Sequence, residues 1–158
     1  MLKELLNQDN ILKYYEKILY EAYDIDEDFP FSCDYIAQKM TTFLNDSYLS
    51  GLYIFSYVRG HYHNEEVNQY CCILNKIDYS VCKNCSCDVY RQHSFIKAVD
   101  KTNGEITIID FTAYQFNDDF YSWLIDSHAF KKEQVINHIM NYGFVVTEDE
   151  KRMYVENM

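Results

Sequence analysis

The sequence predicts an α+β fold in which helices pack against a small antiparallel sheet, and three features carry that expectation. Apolar residues recur at helical spacing before residue 23 and again after Pro30. Two strand-like runs meet across a turn between Arg91 and Phe111. A further helical run, Lys131 to Tyr142, stops at Gly143. At 158 residues and 19.0 kDa, the chain is long enough for one domain with a real core and short for two. It carries 16 Tyr and 10 Phe against 1 Pro and 4 Gly, the balance of a compact, ordered chain without flexible linkers.

The elements follow in chain order. Leu2, Leu5 and Leu6, then Leu12, Tyr15, Ile18, Leu19 and Ala22, support one or two helices with a break near Asn10. Tyr23 to Asp28 is an acidic approach to Cys33, and Asp34 follows it. After Pro30, Ile36, Ala37, Met40, Phe43 and Leu44 keep helical spacing, with Cys33 in the first turn. Tyr48 to Val58 reads as a strand, Gly60, His61 and His63 as a loop or strand end, and Glu66 to Asp78 as a second apolar run. Beyond the central hairpin, Phe120 to Ile125 reads as a short helix with Phe120 and Trp123 as packing anchors, and Lys131 to Tyr142 buries Val135, Ile136, Ile139 and Met140. Phe144 to Val146 and Met153 to Val155 are expected to form a terminal hairpin. His128 and His138 read as surface or packing residues.

The hairpin brings chemistry with it. With Lys101, Thr102, Asn103 and Gly104 as the loop, Asp100 faces Glu105, Phe95 faces Asp110 and His93 faces Thr112. His93 and Asp110 then share a sheet face as diagonal neighbours about 7 to 8 Å apart along the backbone. A two-residue turn at Asn103 and Gly104 would instead pair Lys97 with Asp110 and His93 with Tyr114, separating the two side chains. In the longer register a carboxylate can orient an imidazole. Cys33 supplies a nucleophile to match: free N–H groups and the positive end of a helix dipole favour a thiolate and can hold an oxyanion beside it. The plainer role for Cys33 is a small residue packed under its helix. Nearby carboxylates, Asp34 included, would oppose thiol ionisation, so His93 is needed to favour the charged pair.

Composition narrows the partners. Asp and Glu total 25 against 14 Lys and Arg, for a net charge of −11 and a pI near 4.7, with the basic residues scattered. Such a surface repels nucleic-acid phosphates and anionic membranes. It suits a protein or peptide substrate, basic ones included, or an amine. There is no signal-like start and no apolar stretch of 18 residues, so a cytoplasmic protein is the default expectation, with export by a route lacking a classical signal left open. The 6 cysteines then read as reduced thiols rather than disulfides. Cys82, Cys85 and Cys87, completed by Cys71, Cys72, His61 or His63, form an alternative set for a structural zinc. No other cofactor is expected.

Taken together, Cys33 in FPFSCDYIAQKM, His93 in QHSFI and Asp110 in IIDFTAYQF resemble the Cys-His-Asp arrangement of the papain-like and transglutaminase-like cysteine enzymes. The resemblance covers about residues 25 to 116, within a single domain whose remainder is a C-terminal helix and hairpin. It implies Cys33 as nucleophile, His93 as general base and then general acid, and Asp110 as the group orienting the histidine. The acidic loop before Cys33 has no glutamine to serve as the oxyanion donor of papain-like peptidases, which shifts the expected activity toward a deamidase, amidase or transferase. The backbone N–H of Cys33 is one oxyanion donor, and the sequence names no second. A different class of function, a non-enzymatic acidic binding or inhibitor protein with a zinc-stabilised cysteine loop, rests on the charge and on the cysteines outside the triad.

Overall fold

The computed structural model describes residues 1–25, 32–63, 90–117, 119, 120, 123, 131–148 and 153–156. Among them run four α-helices, α1 (Leu2–Leu6), α2 (Asp9–Ile25), α3 (Cys33–Asn45) and α4 (Lys132–Tyr142), and five strands, β1 (Tyr53–His63), β2 (Tyr90–Asp100), β3 (Ile106–Asp110), β4 (Val145–Thr147) and β5 (Tyr154–Glu156). The strands form one antiparallel sheet in the order β4-β3-β2-β1-β5. The expected α+β class with a small antiparallel sheet is the class found.

Each face of the sheet has its own cluster because side chains alternate along a strand. Tyr53 and Phe55 of β1, Ile96 and Ala98 of β2 and Ile109 of β3 point toward the helices and join Ile11, Tyr15, Ile18, Leu19, Ile36, Met40, Leu44, Val135, Ile136 and Ile139 in the main core. On the opposite face Val58, Tyr62, Phe95, Ile108, Phe116 and Tyr154 form a second, smaller cluster. Its rings are in contact: Tyr62 stacks on Phe116 with centroids 3.8 Å apart, and Tyr154 meets Tyr62 and Phe95 edge-on, each at 5.2 Å.

The β2–β3 turn takes the longer form. Ile96 pairs with Ile109 and Val99 with Ile106, so the register that places His93 and Asp110 as diagonal neighbours holds, and the two-residue turn does not form. The reason lies in the loop side chains. Asp100 Oδ1 accepts from Thr102 N–H at 2.7 Å, and Asn103 Oδ1 accepts from Glu105 N–H at 2.9 Å. Gly104, at φ 72°, donates its N–H to Asp100 O at 2.8 Å, a left-handed closure that glycine adopts without a Cβ clash.

Of four other expectations, two hold and two are corrected. The first helical break falls at Asn7 and Gln8, near Asn10 as expected. Tyr48–Gly51 is a short 3₁₀ helix, capped by Ser47 Oγ accepting from Leu49 N–H at 3.2 Å, and the strand starts only at Tyr53. Gly60, His61 and His63 form the end of β1, the second of the two readings, with Gly60 paired to His93 and to Glu156. The terminal hairpin does not form. Val145–Thr147 pairs with β3 and Tyr154–Glu156 with β1, at opposite edges of the sheet. The second aromatic cluster accounts for this, since Tyr154 is buried there beside Phe95 and Tyr62. Glu66 to Asp78, Cys71, Cys72, Cys82, Cys85, Cys87 and His128 lie outside the described residues.

Candidate active site

The site forms where the start of α3 meets the middle of the sheet. Cys33 opens α3, whose first backbone bond runs from Ile36 N–H to Ser32 O at 3.0 Å. Ser32, the N-cap, makes no side-chain capping bond to the first turn. The β2–β3 ladder ends at Ile96 and Ile109. Next to that end, Cys33 and Asp34 meet His93 and Ser94.

His93 and Asp110 reach each other from adjacent strands, as the hairpin register requires. His93 Nε2 lies 2.8 Å from Asp110 Oδ2, and both side chains are fully buried. Asp110 has a donor at each side of each oxygen. Oδ2 also accepts from the Tyr154 hydroxyl at 2.8 Å, while Oδ1 accepts from Thr112 N–H at 3.0 Å and Thr112 Oγ1 at 3.2 Å. A buried carboxylate with this many donors has its lone pairs satisfied and its orientation fixed. The imidazole is also packed edge-on against Phe116 at 4.7 Å and Tyr62 at 6.1 Å.

With Nε2 facing Asp110, the other ring nitrogen is left for the thiol. Nδ1 is buried and makes no hydrogen bond of ordinary geometry among the described residues. Cys33 and His93 lie close enough to move each other's ionisation in opposite directions. Burial by itself would lower the His93 pKa. The charge and hydrogen bond of Asp110, followed by those of Cys33, outweigh it and raise the pKa to about 9. Burial would likewise raise the pKa of the Cys33 thiol; contact with His93 and a hydrogen bond from Ser94 N–H outweigh burial and the opposing charge of Asp110, and lower it. The two shifts together favour thiolate and imidazolium, a pair that titrates as a unit. Cys33 is a free, partly buried thiol.

In comparisons with protein-family models, curated proteins and solved structures, the chain has no match.

Asp34 does not act on the thiol as expected. Its Oδ1 accepts hydrogen bonds from the hydroxyls of Tyr57 and Ser94 and lies 3.9 Å from Arg59 Nε. The carboxylate is thus turned toward the strands, and the charge opposing the thiolate comes from Asp110 instead. Burial would raise the Asp34 pKa, but the two hydroxyls and the Arg59 charge bring it below the usual value.

The remaining candidates lie elsewhere. His61 is in β1 opposite Gln92 and Val155, and His63 is opposite Tyr90. His138 stacks flat on Trp123 with centroids 4.0 Å apart, a packing role, and Phe120 is buried in the main core beside it. Among the described residues no group of three or more His, Cys, Asp and Glu is arranged to hold a metal ion, and the cysteines of the zinc set lie outside them. No helix of the described residues is long and apolar enough to cross a membrane. Tyr154 and Thr112, which hold Asp110, were not legible as site residues. The order of strands brings Tyr154 in from 44 residues away, and no local pattern signals it. Thr112 follows Asp110 by two, a spacing at which a side-chain carboxylate commonly accepts from the backbone; that was the available signal.

Proposed function

We propose that this chain is a cysteine-dependent acyl-transfer enzyme acting on amide bonds, with Cys33 as nucleophile, His93 as proton carrier and Asp110 as the group that orients His93, in the manner of the papain-like and transglutaminase-like enzymes. The observation that carries the reading is the alignment of a helix-start thiol, an imidazole and a buried carboxylate, with one ring nitrogen bonded to the carboxylate and the other left to the thiol. The raised His93 pKa and the lowered Cys33 pKa favour a resting imidazolium and thiolate. The thiolate sulfur bonds to the amide carbonyl carbon, the C–N bond breaks, and the departing nitrogen takes the His93 proton. His93 then accepts a proton from the water or amine that attacks the thioester, and the thiolate leaves. Water gives an amidase, peptidase or protein deamidase, while an amine gives a transferase. The first-turn N–H of Cys33 faces the developing oxyanion.

The test is alkylation of the folded protein by iodoacetamide across pH, followed by peptide mapping. Cys33 is expected to label faster at neutral and mildly acidic pH than Cys71, Cys72, Cys82, Cys85 or Cys87, and His93→Ala to slow it about tenfold or more, because the imidazolium that favours the thiolate is gone. Equal labelling of all accessible cysteines would defeat the reading. The competing function, an acidic binding or inhibitor protein, draws on the net charge of −11 and predicts a Cys33 rate that does not depend on His93.

A further inference from the structure

The first turn of α3 meets β2 residue for residue. Cys33 faces His93 and the Ser94 N–H, and Asp34 faces the Ser94 hydroxyl. Asp34 is also bonded to the Tyr57 hydroxyl, which lies 3.3 Å from Ser94 Oγ, so two strands converge on one carboxylate oxygen. We propose that Asp34, Ser94 and Tyr57 form a clamp that sets the Cys33 sulfur against the His93 ring, making the three of them positioning residues for the thiol chemistry; this rests on the catalytic reading above. Ser94 is the pivot. Its hydroxyl holds the residue after the nucleophile while its N–H is turned to the nucleophile itself.

Two features separate this from an ordinary acidic residue in a first helical turn. Such a carboxylate normally acts on the helix's own N–H groups. Here Oδ1 is directed away from the helix, toward β1 and β2, and Arg59 Nε stands 3.9 Å from it. The clamp also sits between two central strands that are themselves fixed by their register: Tyr57 is opposite Ile96 and Arg59 opposite Ser94. Any rotation of the α3 start relative to β2 must break the Asp34 bonds, and that same rotation would carry Cys33 off His93.

The clamp and simple charge predict opposite signs. The groups that act on the thiol are His93 and the Ser94 N–H from β2 and Asp110 from β3, with Tyr154 from β5 bonded to Asp110, while Asp34 on its own helix is turned to Tyr57 and Arg59 of β1. Removing a negative charge near a thiol should increase its thiolate fraction and speed alkylation. Loss of the clamp should slow it. Cys33 alkylation by iodoacetamide is measured against pH on the full chain as wild type and as Asp34→Ala, Asp34→Asn, Ser94→Ala, Ser94→Thr and His93→Ala. Asp34→Ala and Ser94→Ala are expected to slow labelling at neutral pH about fivefold or more and to move the profile to higher pH by a good part of a unit. Asp34→Asn, which keeps an acceptor oxygen without the charge, and Ser94→Thr, which keeps the hydroxyl, are expected to restore it. If Asp34→Ala labels as fast as wild type or faster while His93→Ala is slow, the clamp is wrong and the Cys33–His93 pair stands. A His93→Ala rate equal to wild type overturns the catalytic reading and the clamp with it. Should Asp34→Ala lose its circular dichroism signal, Ser94→Ala against Ser94→Thr decides, and equal rates for those two overturn the clamp.

Discussion

Asp110 accepts from His93, Tyr154 and twice from Thr112, and its partners are unequal in what they do. His93 needs its charge, whereas Tyr154 and Thr112 hold its orientation. Asp110→Asn keeps the shape but removes the charge, so burial should then dominate and the His93 pKa should fall from about 9. The expected readout is a Cys33 alkylation profile displaced to higher pH, since a neutral imidazole no longer stabilises the thiolate. Tyr154→Phe removes one donor from a buried carboxylate and is expected to cost about 1–3 kcal/mol in urea unfolding, with a smaller displacement of the same profile. A Tyr154→Phe protein with unchanged stability would mean that the hydroxyl does not hold Asp110.

At the scale of elements, the β2–β3 turn decides whether a diad exists. Gly104 has φ 72° and nothing within 4 Å of where a Cβ would stand, so Gly104→Ala is strained by backbone conformation alone. It should destabilise by about 1–2 kcal/mol, read as a lower urea midpoint, while the Cys33 alkylation profile keeps its shape because the register is set by several side chains at once. The edge strand β5 matters in a different way. It closes the second cluster by placing Tyr154 against Tyr62, Phe95 and Asp110. Ending the chain after residue 152 should therefore lower stability by more than Tyr154→Phe does and slow Cys33 labelling. Equal behaviour of the truncated and Tyr154→Phe proteins would show that the strand adds nothing beyond one hydroxyl.

For the whole molecule the charged pair couples chemistry to stability. The folded His93 pKa, about 9, lies above its ordinary 6.5. A raised pKa contributes stability that is fully present below about pH 6.5 and is lost as the pH rises through about 9, by about 3 kcal/mol at most. Urea melts across that window should show the decline, and His93→Ala should flatten it. Cys33 works in the opposite sense: its lowered pKa adds stability above its ordinary value of 9.0 that is lost as the pH falls through the folded one. The net charge of −11 acts at longer range. If the substrate is a basic peptide, kcat/KM should fall steeply with added salt, and a salt-insensitive value would show that the acidic surface takes no part in capture.

Periodicity and turn chemistry were enough, from the sequence, to place α3, α4 and the β2–β3 hairpin and to narrow its register to two choices, because each is fixed by neighbours a few residues apart; the structure takes the longer turn. Cys33, His93 and Asp110 could be named for the same reason: one starts a helix, and the other two lie on paired strands joined by a four-residue loop. What joins distant segments was not legible. A run such as Tyr154–Glu156 carries an alternating pattern and no address, so its place beside β1, and the Tyr154 hydroxyl on Asp110, follow from the aromatic cluster that receives it. Likewise Asp34 looked like a charge that would oppose the thiolate, since sequence gives proximity along the chain without direction. Only the packing of α3 across β1 and β2 turns that carboxylate onto Tyr57, Ser94 and Arg59, and leaves the sulfur facing His93.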